Sequence, residues 1–147
     1  MGIERFEDLK SWQEARKLTQ IVYRLTEMGS FRSRGLAWQL QDAAGSCMGN
    51  IAEAHGRYSF EDKRRFLDIA LGSCNEIQSR LYIALDHAYV TREEFDEAYR
   101  QADVVGRLIN GALNNLDRQI AQRLRGKPGP RGRRPSLDRG PAGREVS

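Results

Sequence analysis

Histidine and cysteine, whose side chains bind transition metals and act in nucleophilic catalysis, are few in this sequence: two histidines, His55 and His87, and two cysteines, Cys47 and Cys74. A di-iron helical bundle requires Glu-x-x-His pairs on two helices, whereas Glu53 precedes His55 by only two positions. The sequence contains no HExxH, CxxC, GxGxxG or P-loop motif. We therefore expect no enzyme, with no catalytic residue, no bound metal, no cofactor and no small-molecule substrate.

Both cysteines fall within helical patterns, which favours buried and reduced thiols. Pairing the two helices that carry them antiparallel, about a turn at residues 57–59, places Cys47 and Cys74 at different heights along the pair. Sulfur atoms at different heights cannot reach one another without backbone movement. The sequence therefore predicts neither a disulfide nor a shared metal site between them.

The segment from Ala43 to Glu76 is the most unusual part of the chain, because it places glycines inside predicted helices. Gly45, Gly49 and Gly72 each cost roughly 1 kcal/mol relative to alanine in a helix interior. Close approach of a second helix is the usual compensation, and the same antiparallel pairing places Gly45 at about the height of Gly72. Two interpretations follow, namely tight packing inside one bundle or packing of a glycine against a neighbouring subunit.

Further stripes run along the two helices of this segment. A second apolar stripe on the first of them predicts either a wide core face or cover on two sides, and it comprises Trp38, Gly45, Met48 and Ala52. A polar stripe on the same helix comprises Gln39, Asp42, Ser46, Asn50, Glu53 and Arg57. A matching polar row on the second helix comprises Arg65, Asp68, Glu76 and Ser79.

The two polar rows are expected to meet, with Glu53 near Arg64 or Arg65 and Asn50 near Asp68. One interpretation is a solvated charged face, and the other is a buried network that fixes helix register or subunit contacts. The candidate packing and assembly residues are Gly45, Gly49, Gly72, Ser46, Asn50, Glu53, Arg57, Arg65 and Glu76.

Four amphipathic helices position these residues. Helix 1 is predicted from about Asp8 to Met28, with a candidate capping box at Ser11 and Glu14. Helix 2 is predicted over residues 33–55, and Gly56 supplies its stop. Short links between long helices indicate antiparallel neighbours. The fold class is therefore all-α, an antiparallel up-down-up-down four-helix bundle over residues 1–125.

Helices 3 and 4 carry the clearest start signals. Helix 3 is predicted to begin at a cap formed by Ser59 with Asp62 and to continue to about residue 87. Its predicted buried stripe comprises Phe66, Ile69, Ser73, Ile77, Leu81 and Ala84. A capping box of Thr91 and Glu94 begins helix 4, which is expected to exceed 30 residues.

The composition changes abruptly after Leu124. All four prolines and a net charge of +4, which is that of the whole chain, lie in residues 126–147. Such an arginine-, glycine- and proline-rich segment is predicted to be a disordered basic tail. Its candidate nucleic-acid contacts are Lys127, Arg131, Arg133 and Arg134. No apolar run is long enough to span a membrane and no signal-peptide core is present, so we expect a cytoplasmic protein with no membrane partner.

Several motifs resemble those of one bacterial family. They are Asn50-Ile51-Ala52-Glu53, then Gly56-Arg57, then Arg65-Phe66-Leu67-x-Ile69-Ala70-x-Gly72-Ser73-x-x-Glu76. In combination, and with an opening Phe6-Glu7-Asp8-Leu9-Lys10-x-Trp12, they resemble the 23S rRNA intervening-sequence proteins over about residues 5–118. The resemblance implies a four-helix bundle that assembles as a ring-like homopentamer. It also implies a fold similar to that of the accessory subunits of diversity-generating retroelements.

Two classes of function remain. The first is a homo-oligomeric interaction scaffold, which is favoured by the neutral body, the mid-helix glycines and the resemblance. The second is an accessory protein that binds RNA or DNA, which is favoured by the basic tail and the cluster Lys63-Arg64-Arg65. Acidic neighbours offset that cluster, and Gln41-Asp42 stands where members of the family often carry basic residues, so the tail is the stronger nucleic-acid feature.

Overall fold

A computed structural model describes residue 2 and residues 4–126, and these residues form helices and no strand. A short 3-10 helix, Phe6–Asp8, precedes four α-helices. These are α1 (Lys10–Thr26), α2 (Arg34–Gly56), α3 (Phe60–Asp86) and α4 (Arg92–Gly126). Each α-helix packs against the next one in the chain, and α4 packs back against α1. The predicted all-α four-helix bundle is confirmed, whereas the predicted tail, apart from Gly126, lies outside the described residues.

The starts of three helices follow from side-chain caps. The Ser33 hydroxyl accepts from the Leu36 backbone nitrogen at 3.2 Å at the start of α2. The Ser59 hydroxyl accepts from the backbone nitrogen of Asp62 at 3.1 Å, as predicted for α3. The predicted capping box of α4 is also confirmed, and that helix extends for 35 residues.

The predicted capping box of helix 1 is wrong. Its N-cap is Leu9, whose extended backbone carries no side-chain cap, and Ser11 lies inside the helix. The Glu14 side chain does not turn back to the helix start, because it is held by lysines of its own helix and by Gln101 of α4. A tertiary contact has therefore overridden a local sequence pattern.

The core is apolar and continuous along the bundle. The buried apolar side chains of α2 include Leu36, Leu40, Ala43, Cys47, Ile51 and Ala54. Those of α1 include Ala15, Leu18, Val22 and Leu25, and in α3 the second half of the predicted stripe, Ile77, Leu81 and Ala84, is buried. In the first half of the predicted α3 stripe, Ser73 is buried and Phe66 packs partly against the core, but the position of Ile69 is wrong. Ile69 is 45% exposed, while Leu67 and Ala70 are buried. Small side chains such as Ala70 and Cys74 occupy the interior there.

The carboxyl end of α3 is closed by a hydrogen-bonded turn. The backbone nitrogen of Tyr89 donates to the Ala84 carbonyl at 2.8 Å, and that of Ala88 donates to the Leu85 carbonyl at 3.0 Å. This pair of bonds is a Schellman motif, whose turning residue adopts the left-handed conformation. Ala88 fills that position with a φ of 57°, although glycine is the residue that favours it.

None of the helices in the described part of the chain has the length and apolar character needed to cross a membrane.

Candidate functional site

The mid-helix glycines lie on the outside of the bundle. Gly45 and Gly49 of α2 and Gly72 of α3 are exposed. A Cβ built on any of the three has no neighbouring atom within 4 Å. The interpretation that these glycines allow close packing inside one bundle is therefore wrong. We refer to the outward faces of α2 and α3 around these glycines as the α2–α3 surface.

Large apolar side chains are exposed on the same surface. Trp38 of α2 is 67% exposed, and Ile69 and Ile83 of α3 are exposed to nearly half of their area. Beside Trp38 lies an open depression of about 320 Å³, lined by Tyr23, Trp38, Gln41, Asp42, Gly45 and Ser46. Of the predicted second apolar stripe, Trp38 and Gly45 thus face outward, while Met48 packs partly against the core.

Hydroxyl groups connect α2 and α3 just beneath this surface. The Ser73 hydroxyl donates to the Ser46 hydroxyl at 3.0 Å. The side-chain amide of Asn50 donates to the Ser46 carbonyl at 2.8 Å and to its hydroxyl at 3.1 Å. The amide of Asn50 is thus held within its own helix, and the carboxylate of Asp68 pairs with Arg64. In the described residues, no buried side-chain nitrogen or oxygen lacks a hydrogen-bond partner.

The charged residues of the two rows pair mainly within their own helices. Glu53 forms an ion pair with Arg57, and Arg65 lies 3.5 Å from Asp62, so the predicted contact of Glu53 with Arg64 or Arg65 is wrong. Arg64 instead pairs with Asp68 and with Asp117 of α4. Most of these side chains are two-fifths or more exposed, which indicates a solvated charged face rather than a buried network.

One charged residue that crosses between the helices was not predicted. Arg80 of α3 lies 2.7 Å from the Glu76 carboxylate and donates to the Gln39 side-chain oxygen of α2 at 2.8 Å. The spacing of Glu76 and Arg80 by four positions was the available sequence signal. The crossing contact tethers the polar rows of the two helices.

The turn between α2 and α3 carries an aromatic and basic group. The guanidinium groups of Arg57 and Arg65 lie 4.6 and 4.7 Å from the centroid of the Phe66 ring. Tyr58 between the helices is fully exposed. The ammonium group of Lys63 donates to the last carbonyls of α2, at residues 54 and 55, and so caps that helix.

The predicted burial of the two cysteines is confirmed, but the prediction that they lie at different heights is wrong. The sulfur atoms of Cys47 and Cys74 lie 3.3 Å apart in the core, so the two residues are at the same height. Arg57 and Ser59 have extended backbone, which carries the chain beyond the end of α2 before α3 begins. Residues of α3 are therefore displaced by about one helical turn from a pairing centred on residues 57–59.

The histidines do not form a site with these sulfur atoms. The Nε2 atom of His55 lies 3.2 Å from the Glu4 carbonyl, and the His87 ring stacks on Tyr89. Across residue 2 and residues 4–126, no group of three or more His, Cys, Asp or Glu side chains could hold a metal ion.

Comparison with known proteins gives the family. The sequence profile of the 23S rRNA-intervening sequence protein family matches residues 7–111. The chain belongs to this family. The family resemblance inferred from the motifs is thus confirmed, and the motif residues of this family member fall largely on α2 and α3.

A solved structure has the same fold. It is a protein of unknown function of the S23 ribosomal protein family from Bacteroides thetaiotaomicron VPI-5482, with 22% sequence identity and a TM-score of 0.65. The alignment covers 70% of this family member and 97% of that chain. At this identity the similarity concerns the fold alone. No curated protein matches this chain.

Proposed function

We propose that this family member is a non-enzymatic, homo-oligomeric interaction scaffold whose subunits associate through the α2–α3 surface. The observation that carries the proposal is the open space beside Gly45, Gly49 and Gly72. Each glycine costs roughly 1 kcal/mol within its helix, and among the described residues no atom packs where its Cβ would stand. A helix of a second subunit that packs on the glycines supplies the missing contact.

The other side chains of the surface suit such an interface. Exposed Trp38 and Ile69 flank the glycines, and aromatic and aliphatic side chains are the usual anchors of subunit contacts. The ion pair of Glu76 and Arg80 places both charges on the surface, so a second copy offers complementary partners. The ring of five subunits remains an expectation from the family resemblance.

Light scattering coupled to size-exclusion chromatography tests the proposal. The wild-type chain of 16.8 kDa is expected to elute at a multiple of this mass, five chains for a pentamer. Gly49→Leu and Gly72→Leu are expected to reduce the mass while helical content is retained, because a Cβ at either position has no neighbouring atom within 4 Å among the described residues. A wild-type monomer at micromolar concentration would contradict the proposal.

Gly111→Leu is the matched control. Gly111 lies in α4, is exposed, and also has open space where a Cβ would stand. The variant is expected to keep the wild-type mass, because its glycine is not on the α2–α3 surface. If all three leucine variants keep the wild-type mass, the α2–α3 surface is not the subunit interface.

A second candidate function is binding of RNA or DNA as an accessory protein. The observation that favours it is the position at which α4 ends. Arg123 pairs with Glu61 at the start of α3 and lies 5.4 Å from the Phe60 ring, so α4 ends on the side of the bundle that exposes Tyr58. The basic residues from Lys127 onward follow directly in the sequence.

Arginines of the body such as Arg57, Arg64 and Arg65 are already paired with acidic side chains. The residues after α4 are therefore expected to supply most of the binding to nucleic acid. Two full-length variants separate the residues after α4 from those of the body as sources of binding. One replaces Lys127, Arg131, Arg133 and Arg134 by glutamine, and the other replaces Arg57 and Arg65 by glutamine. If the four residues contact phosphates of a single strand, the logarithm of the binding constant should fall with log[salt] at a slope of about −3. The first variant should abolish this salt dependence. Unchanged binding by that variant would show that these four residues do not contact the nucleic acid.

A further inference from the structure

Two thiols, one from α2 and one from α3, meet in the core. The sulfur atoms of Cys47 and Cys74 are 3.3 Å apart, at hydrogen-bonding distance, and both side chains are buried. The two residues lie 27 positions apart in the sequence and are the two cysteines of the whole chain. A disulfide within one chain can therefore form with one pairing only.

The surroundings of the thiols favour a bond between them. A disulfide requires a sulfur–sulfur distance of about 2.05 Å, so the two atoms need to approach by only about 1.3 Å. The preceding residues in each helix, Ser46 and Ser73, already contact one another through their hydroxyl groups at 3.0 Å. Both helices are thus held closely together at the height of the cysteines.

We propose that Cys47 and Cys74 form a redox-modification site, at which hydrogen peroxide converts the buried dithiol into an intrachain disulfide between α2 and α3. The thiolate of one cysteine attacks a peroxide oxygen and the O–O bond breaks, which forms a sulfenic acid and hydroxide. The hydroxide takes up the proton that this thiol had released and becomes water. The second sulfur then attacks the sulfenic sulfur, the S–O bond breaks, and the hydroxyl leaves as water with the proton of the second thiol. Two thiols lose two electrons and two protons, and one peroxide is reduced to two molecules of water.

The environment sets the rate of this modification. The hydrogen bond with Cys74, together with burial, raises the pKa of the Cys47 thiol above its ordinary value. Because the thiolate is the reactive form, the first step is slow and requires local opening of the contact between α2 and α3. The pair therefore records prolonged exposure to oxidant and does not turn over as a catalyst.

Mass spectrometry of the full-length protein tests the proposal. After peroxide treatment under native conditions, the chain is denatured, alkylated and weighed intact. The expected product has lost the mass of two hydrogen atoms, resists alkylation at both cysteines, yields a peptide linking Cys47 to Cys74, and is restored by dithiothreitol. Two alkylated cysteines, a disulfide between chains, or oxidation confined to denaturing conditions would each overturn the proposal.

Single variants and a second oxidant complete the test. Cys47→Ala and Cys74→Ala each retain one thiol and are expected to give no reversible loss of two hydrogen atoms. Equilibration of the wild-type protein with glutathione and glutathione disulfide avoids dependence on peroxide entry, and it should give the same intrachain product. A mixed disulfide with glutathione as the sole product would contradict the assignment. Because the readout is made on single denatured chains, its outcome does not depend on subunit assembly.

Discussion

The side-chain amide of Gln101 on α4 donates two hydrogen bonds to Glu14 on α1, at 2.9 Å to its backbone carbonyl and at 2.7 Å to its carboxylate. Glu14 is only 7% exposed, yet its carboxylate also lies 3.1 Å from the Lys10 ammonium and 3.2 Å from that of Lys17. The contact joins the first and last helices of the bundle. A nearly buried charge is tolerated there because it is fully paired.

This arrangement makes stability depend on pH. Hydrogen bonding from Gln101, followed by that from Lys10, lowers the pKa of Glu14 from 4.5 to about 2. A carboxyl group whose pKa is lower in the folded state stabilises the fold above its unfolded-state pKa and loses that contribution as the pH falls through the folded-state pKa. Glu14 is therefore expected to lose its stabilising effect between about pH 4.5 and about pH 2.

The variant Glu14→Gln tests this dependence. It should reduce the free energy of unfolding by roughly 1–2 kcal/mol at pH 7, because the charge-assisted bonds are lost. Urea titrations at pH 7 and pH 3 are expected to show a smaller decline for the variant than for the wild-type protein. Parallel declines for both proteins would assign the acid sensitivity to other carboxyl groups.

The left-handed turn at Ala88 predicts a stabilising substitution. Ala88→Gly should raise the free energy of unfolding by about 0.5–1 kcal/mol, because glycine adopts this conformation without steric cost and the gain exceeds the added entropy of the unfolded chain. Ala121→Gly is the matched control, since Ala121 is an exposed residue within α4. The same chemical change there should destabilise the protein by up to about 1 kcal/mol. Chemical denaturation of both variants measures the difference, and a decrease for both would show that the turn carries no strain.

Removal of the side-chain cap of α4 should destabilise the protein, whereas the same kind of substitution at Ser11, which has a similar sequence pattern, should not. The Thr91 hydroxyl accepts from the Glu94 backbone nitrogen at 3.2 Å, and the Glu94 carboxylate accepts from the Thr91 backbone nitrogen at 2.8 Å. Thr91→Ala should cost about 1 kcal/mol. Ser11→Ala should change stability by less than about 0.5 kcal/mol, because Ser11 caps no helix. Urea midpoints of the two variants compare these positions, and equal midpoints would mean that the α4 cap is energetically silent.

The fold was accessible from sequence because its signals are local. Ser59 and Thr91 mark helix starts through bonds to residues three positions later, and such bonds are legible in the sequence. Ser11 and Glu14 have the same spacing, but Glu14 is held by a residue 87 positions away. No local pattern contains that information, and this is why the capping box of Ser11 and Glu14 was wrongly predicted.

The contacts between α2 and α3 were less accessible, because they depend on how far the chain extends before it turns. Extended backbone at Arg57 and Ser59 shifts the pairing and brings Cys47 to Cys74. Periodicity places Gly45 on one face of its helix. It does not reveal that this face has no neighbouring atom within 4 Å of where a Cβ would stand. The proposed subunit contacts remain predictions.

The helix α4 continues beyond the start of its neighbour. Arg64 pairs with Asp117 across the two helices, which places Phe60 near the height of residue 121, and residues 121–126 are all exposed. Arg123 still reaches the start of α3 through its ion pair with Glu61, so the last three residues of α4, 124–126, form an overhang of about 4.5 Å at 1.5 Å per residue. A fluorophore or affinity tag inserted at this point is spaced from the packed helices by a rigid extension of the bundle, so labelling there leaves the buried layer undisturbed.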